Sequence, residues 1–298
     1  MISTTMKNGC IIGLGEVLWD MLPEGRKIGG APANFAWHMA QFGYDARAVS
    51  AVGHDADGEE ILRNFSERGL QADLARVDYP TGRVEVTLDS EGIPQYEIRT
   101  NVAWDHIPYT DTLRETARSA RCICFGSLAQ RSEESRRTIA AFLDDTPKEA
   151  LRVFDINLRQ QFYDREVVIQ SLHRCNILKI NDEEALIVAR MLGIDSEDIC
   201  EIAERLRRDY DLQATILTCG SRGSHVFHAG GRSDLTTPKV EVADTVGAGD
   251  SFTAGFCAAW LHGCDVATAH ARGVAVSAYV CTCEGATPHL PEELTRFE

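Results

Sequence analysis

Two patterns of apolar and polar positions divide the chain. Runs that are apolar almost throughout occur at 10–13, 122–125, 153–156, 177–180 and 215–218. A strand with one wet face must alternate, so these runs read as parallel strands covered on both faces. Helical spacing fills the intervals, near 133–145, 163–174, 183–192 and 196–209. Strands alternating with helices predict right-handed βαβ units. The expected class is α/β, a doubly wound, mostly parallel sheet with helices on both faces.

The second pattern has period two. Val84, Val86 and Leu88 point one way, and Arg83, Glu85, Thr87 and Asp89 the other. After a turn at 90–94, Tyr96 and Ile98 alternate with Gln95, Glu97 and Arg99. This is a half-exposed antiparallel hairpin, which does not belong inside a parallel core. It predicts a small β-sheet lid, formed by about 16–28 and 80–104, on a single domain spanning 1–298. The apolar face of the lid must cover either a ligand site or the same face of a second copy, which gives a homodimer through the lid.

Helix starts are marked by composition. In Gly29-Gly30-Ala31-Pro32-Ala33-Asn34, Pro32 takes a first-turn position; Phe35, Met39 and Phe42 follow at helical spacing, with Gly43 as the stop. Residues 57–69 repeat the form with Ile61, Leu62, Phe65 and Gly69.

Charge and composition narrow the partners. With 30 Lys+Arg against 45 Asp+Glu, a net charge of −15 excludes a general nucleic-acid binder but not a nucleotide substrate. No run approaches the ~20 apolar residues of a membrane span. The opening MISTTMKNGC has no apolar run of a secretory signal, so a cytoplasmic protein is expected. Ten cysteines include no C-x-x-C pair; they read as small buried hydrophobes in a reducing compartment, against a thiolate metal site or disulfides.

The chemistry concentrates in Asp244-Thr245-Val246-Gly247-Ala248-Gly249-Asp250, which precedes an uncharged helical stretch, 251–261. Small residues leave backbone N–H groups unobstructed at a helix N-terminus, where the macrodipole is positive. Gly247, Ala248 and Gly249 therefore form an anion hole for a phosphoryl group. Asp250 stands at its rim, where a carboxylate takes the proton of a hydroxyl attacking phosphorus. Asn181 and Glu184, at a strand-to-helix turn, supply the hard oxygens that suit hydrated Mg²⁺. Thr218, Gly220 and Gly223 form a strand-end turn able to approach phosphate. Gly13-x-Gly15 is no dinucleotide fingerprint, because Leu18 stands where the third glycine would fall.

These segments resemble, in order and spacing, the ribokinase/PfkB family of carbohydrate kinases, and the resemblance runs from Gly13 to Pro291. It implies a ribokinase-like fold, Asp250 as catalytic base and 247–249 as anion hole. It implies ATP as donor, with Asn181 and Glu184 organising Mg²⁺ through water. Thr218, Gly220, Gly223 and Gly285 would line the nucleotide, and the closing segment Cys283–Pro291 implies, in some members, a monovalent cation such as K⁺. Asp20, Gly30 and Asn34 would hold a sugar. The early Gly-Glu-x-Leu-x-Asp with Gly-Gly-Ala-Pro-Ala-Asn is most similar to the fructokinase branch, so fructose is the expected acceptor. Asp155-x-Asn157-x-Arg159 resembles both the fructokinase and the 2-keto-3-deoxygluconate kinase branches; Arg159 faces either donor phosphates or an anionic acceptor. Arg99 is a second substrate candidate, and Trp104 belongs either beside the sugar or in the core. The alternatives are a kinase for 2-keto-3-deoxygluconate, ribose or a nucleoside, and a catalytically retired sugar-sensing protein.

Overall fold

The computed structural model describes residues 9–22, 25–88 and 94–297. In chain order its strands are β1 (Cys10–Leu14), β2 (Leu18–Leu22), β3 (Gly25–Gly29), β4 (Ala46–Gly53), β5 (Gln71–Val77), β6 (Gly82–Leu88), β7 (Pro94–Ile98), β8 (Ala120–Phe125), β9 (Leu151–Asp155), β10 (Ile177–Asn181), β11 (Ala214–Thr218), β12 (Ser224–His228) and β13 (Gly231–Leu235). Its helices are α1 (Ala31–Gln41), α2 (Ala56–Glu67), α3 (Asp111–Ser119), α4 (Glu133–Asp145), α5 (Arg165–Arg174), α6 (Asp182–Leu192), α7 (Ile199–Asp209), α8 (Ala248–His262), α9 (Val266–Val280) and α10 (Glu292–Thr295). Among the described residues no helix is long and apolar enough to cross a membrane.

A nine-stranded sheet has the order β13-β12-β11-β10-β9-β8-β1-β4-β5. Its pairs from β11 to β5 are parallel, and β12 and β13 add an antiparallel edge. The five all-apolar runs are β1 and β8–β11, side by side and buried on both faces. One face packs against α3–α7 through residues such as Ile139, Phe142, Leu172 and Leu206. The other packs against α1, α8 and α9 through Phe35, Met39, Phe252, Phe256 and Ala269. In α8 every residue from Ser251 to Ala259 is buried, which is why that stretch lacks charge on any face. The first turn of α1 lies directly on β1: a Cβ on Gly13 would come within 1.9 Å of the Pro32 carbonyl oxygen.

The second sheet has the order β3-β2-β6-β7. The predicted hairpin is the antiparallel β6–β7 pair, and β2 joins β6 in parallel through Leu18↔Gly82 to Met21↔Glu85. The turn at 89–93 lies outside the described residues. Both excursions that build this sheet leave the main sheet at strand carboxyl ends, β2–β3 after β1 and β6–β7 after β5. The small sheet is therefore attached at the edge where open α/β sheets bind ligands. Its base is anchored in two ways. Val17 and Trp19 pack with Ala36, Trp37, Ile61 and Phe65. Asp57 of α2, 6% exposed, accepts from Arg26 of β3 at 2.7 Å and from Arg83 of β6 at 2.6 Å.

Trp104 is in the core, 1% exposed, with the Arg131 guanidinium 3.9 Å above its ring. All ten cysteines are free thiols. Six of them are buried, and no group of three His, Cys, Asp or Glu among the described residues is placed to hold a metal.

Candidate active site

Gly247 caps α8 at φ 76°, a left-handed conformation that costs a side chain about 1–2 kcal/mol. A Cβ there would also lie 2.6 Å from the Ala286 Cβ. Asp244 fixes the approach to the helix: one oxygen accepts from Val246 N–H and the other from Gly285 N–H, each at 3.0 Å. Those two bonds pull its carboxyl below the usual range, although burial pushes the other way. No side chain among the described residues caps α8. Its first turn thus presents N–H groups to an outside acceptor, as an anion hole requires.

Asp250 is the third residue of α8. Asn34, on the buried first turn of α1, donates from Nδ2 to Asp250 Oδ2 at 2.8 Å. Asp250 lines a pocket with Pro32, Phe35, Phe125, Gly126 and Asp155. Burial, then the Asp155 carboxylate, pushes its pKa up to about 6, against the pull of Asn34, Lys179 and Arg159. The group is therefore ionised at neutral pH yet close enough to neutrality to accept and return a proton.

Asp20, on β2, lies against the end of the neighbouring strand β3: a Cβ on Gly29 would lie 2.1 Å from Asp20 Oδ2. Burial raises its carboxyl to about 6, with the Arg159 guanidinium opposing. Gly30 caps α1 at φ 117°, and its bare face meets the Glu16 carbonyl oxygen, 2.3 Å from where a Cβ would stand. The glycine at 30 is thus required by the packing of the chain on itself; the side a Cβ would occupy is filled by backbone. Arg159 is exposed in the turn after β9, between Asn157 at φ 45° and Gln160 at φ 50°. Its charge opposes the rise that burial causes in the carboxyls of Glu16, Asp20 and Asp250. Arg99 is engaged elsewhere, paired at 2.7 Å with Glu85 on β6.

Asn181 and Glu184 form a reciprocal cap at the start of α6. Asn181 Oδ1 accepts from Glu184 N–H at 2.8 Å, and Glu184 Oε2 accepts from Asn181 N–H at 2.9 Å. Glu184 Oε1 accepts from Leu158 N–H at 2.9 Å, so the buried carboxylate braces the turn that carries Arg159. Both of its oxygens are thus committed to backbone amides. Each oxygen keeps a further lone pair, so the pair could still serve a hydrated cation. Thr218 ends β11, partly buried, beside the turn of Gly220 at φ 56° and Gly223 at φ 123°. Gly285 stands across from α8 on the Asp244 tether, with Lys27 of the small sheet 3.7 Å from its Cβ position.

Glu16 was not singled out from the sequence. It is 3% exposed, its Oε2 has no hydrogen-bond partner among the described residues, and burial pushes its carboxyl up to about 7. The available signal was an acidic residue within an otherwise apolar stretch just after β1. Lys179 gave the same signal, as the sole charge in the β10 apolar run.

The profile of the pfkB family of carbohydrate kinases matches residues 24–293. An ATP-dependent 6-phosphofructokinase of Thermoanaerobacterium thermosaccharolyticum is 28% identical, covering 95% of this chain and 91% of that enzyme. A fructokinase of Klebsiella pneumoniae is 29% identical, over 95% of this chain and 97% of that one. The crystal structure of a Xylella fastidiosa fructokinase with bound ATP superposes with a TM-score of 0.83 at 22% identity, over 96% and 97% of the two chains. Family profile, nine-stranded sheet with attached small sheet and loop geometry agree: the chain belongs to the pfkB family of carbohydrate kinases.

Proposed function

We propose that this kinase transfers the γ-phosphoryl group of ATP to the primary hydroxyl of fructose. The observation that carries the reading is the placement of Asp250, in the uncapped first turn of α8 and bonded to Asn34 at 2.8 Å. Asp20 and Asn34 hold the sugar hydroxyls, since a carboxylate accepts from two O–H donors at once. Asp250 takes the proton of the hydroxyl as its oxygen attacks phosphorus in line. N–H groups at 247–249 receive the charge of the transferring group. Asn181 and Glu184 would hold the hydration shell of Mg²⁺, which would supply compensation for the phosphate charge. Thr218, Gly220, Gly223 and Gly285 border the nucleotide, and the closing segment 283–291 would hold a monovalent cation such as K⁺ where one is used. Closure of the small sheet excludes water, the competing acceptor.

Charge favours a neutral polyol. Four carboxyl groups, Glu16, Asp20, Asp155 and Asp250, outnumber the two cations that act on them, Arg159 and Lys179. Arg159 supports the second reading, an anionic acceptor such as fructose 6-phosphate or 2-keto-3-deoxygluconate. A substrate panel with ATP consumption as readout separates the two. Fructose is expected to give the highest kcat/KM, ahead of fructose 6-phosphate, 2-keto-3-deoxygluconate, ribose and nucleosides. Preference for an acidic acceptor, lost in Arg159→Ala, would establish the second reading. Failure on every acceptor would point to a retired sugar-sensing protein.

A further inference from the structure

Lys179 lies on β10, two residues before the strand ends, and is 8% exposed. Its Nζ donates to Asp155 Oδ1 at 3.0 Å. The other Asp155 oxygen is 3.1 Å from the Thr253 hydroxyl, which also stands 2.9 Å from the Gly249 carbonyl oxygen. A Cβ built on Gly249 would lie 2.8 Å from Lys179 Nζ, so the ammonium sits directly beneath the first turn of α8. Asp155 and Asp250 line the same pocket. Two carboxyl groups in one desolvated space tend to share a single proton unless a cation compensates one of them.

We propose that Lys179 is a positioning residue for phosphoryl transfer: its ammonium, held under Gly249, pairs with Asp155 and leaves Asp250 as the free base of the pocket. This rests on the assignment of Asp250 as base. Burial works against the charge on Lys179, but Asp155, Glu184 and Asp250 outweigh it and hold its pKa above the ordinary value. The groups facing Asp250 are Asp155 on β9, Lys179 on β10, Arg159 after β9, Glu16 after β1, Asn34 on α1 and the Cys124 thiol on β8. Of the two cations, Arg159 is exposed to solvent and Lys179 is enclosed, so Lys179 acts with less screening.

The test is the pH profile of kcat/KM for the sugar at saturating Mg-ATP, in the unmodified enzyme, Lys179→Met, Asp155→Asn and Asp250→Asn. Lys179→Met is expected to move the acid limb up by about one pH unit, the lower end of charge effects at this range. That is a ~10-fold loss below the limb, with recovery toward the parent value in alkali. Asp155→Asn is expected to move the limb down, because the cation then acts on Asp250 unopposed. Should Lys179→Met fail to fold, Lys179→Gln carries the test, with the same upward shift expected. A limb in the parent position in Asp155→Asn, or a pH-independent loss in Lys179→Met, overturns the role of Lys179. Undiminished turnover in Asp250→Asn overturns the base assignment itself, whatever the other profiles show.

Discussion

At the scale of single residues, the site is defined by carboxyl groups held where they titrate late. Glu16 is raised to about 7, and Asp20 and Asp250 to about 6, each mainly by burial. Two consequences have opposite signs. Activity needs Asp250 ionised, so kcat/KM is expected to fall as pH drops through about 6. Stability runs the other way. A carboxyl whose folded pKa lies above its unfolded value binds more protons in the native state, so folding weakens as pH rises from the unfolded pKa, ~4, to the folded one, and stays weakened above it. Asp250→Asn and Glu16→Gln are therefore expected to raise Tm at pH 7.5 and to leave it nearly unchanged at pH 4. Calorimetric melts at the two pH values check this; a lower Tm for both variants at pH 7.5 would contradict it. Asp250 and Asn34 were legible in the sequence because each sits in a segment whose glycines and proline mark a helix start. Glu16 and Lys179 were not, because a residue type does not disclose whether a carboxyl or ammonium is buried, and their roles depend wholly on burial.

At the scale of elements, the chemistry depends on how α8 begins. Gly247→Ala places a methyl group 2.6 Å from the Ala286 Cβ in a left-handed conformation, and the first turn must shift to accept it. The loss of one oriented donor from such a hole costs ~10²–10³ in kcat, so a drop of that order is expected, with KM for the sugar little changed. Steady-state kinetics on both substrates decide it; an unchanged kcat would remove 247–249 from the phosphate site. The all-apolar strands were legible because burial on both faces leaves nothing polar to interrupt the run. β4, with Arg47 and Ser50 in an alanine-rich sequence, and β5, partly exposed along most of its length, gave no such run. α9 escaped notice for another reason: its alanines, valines and small polar residues form no clear stripe, because it packs closely against α8. The Cβ side of Gly30 is filled by the Glu16 carbonyl, and only the three-dimensional path of the excursion after β1 brings those two residues together.

At the scale of the whole molecule, a change of period from unbroken to alternating separated the main sheet from the small one. What the sequence left open is what the small sheet faces. Its base is fastened by Asp57 to Arg26 and Arg83, and Lys27 extends toward the Gly285 turn. If the sheet also pairs with its copy, light scattering should give about twice 32.9 kDa at micromolar concentration. A mass of one chain would leave the sheet as a lid within each molecule.

The most direct test of the central claim is Asp250→Asn, followed by calorimetric binding of ATP and of fructose together with steady-state turnover. The account predicts that both ligands bind within a few-fold of the parent enzyme while kcat falls by ~10²–10⁴, the scale of a general base. Turnover at the parent rate would contradict it, and so would loss of sugar binding sufficient to explain the whole defect.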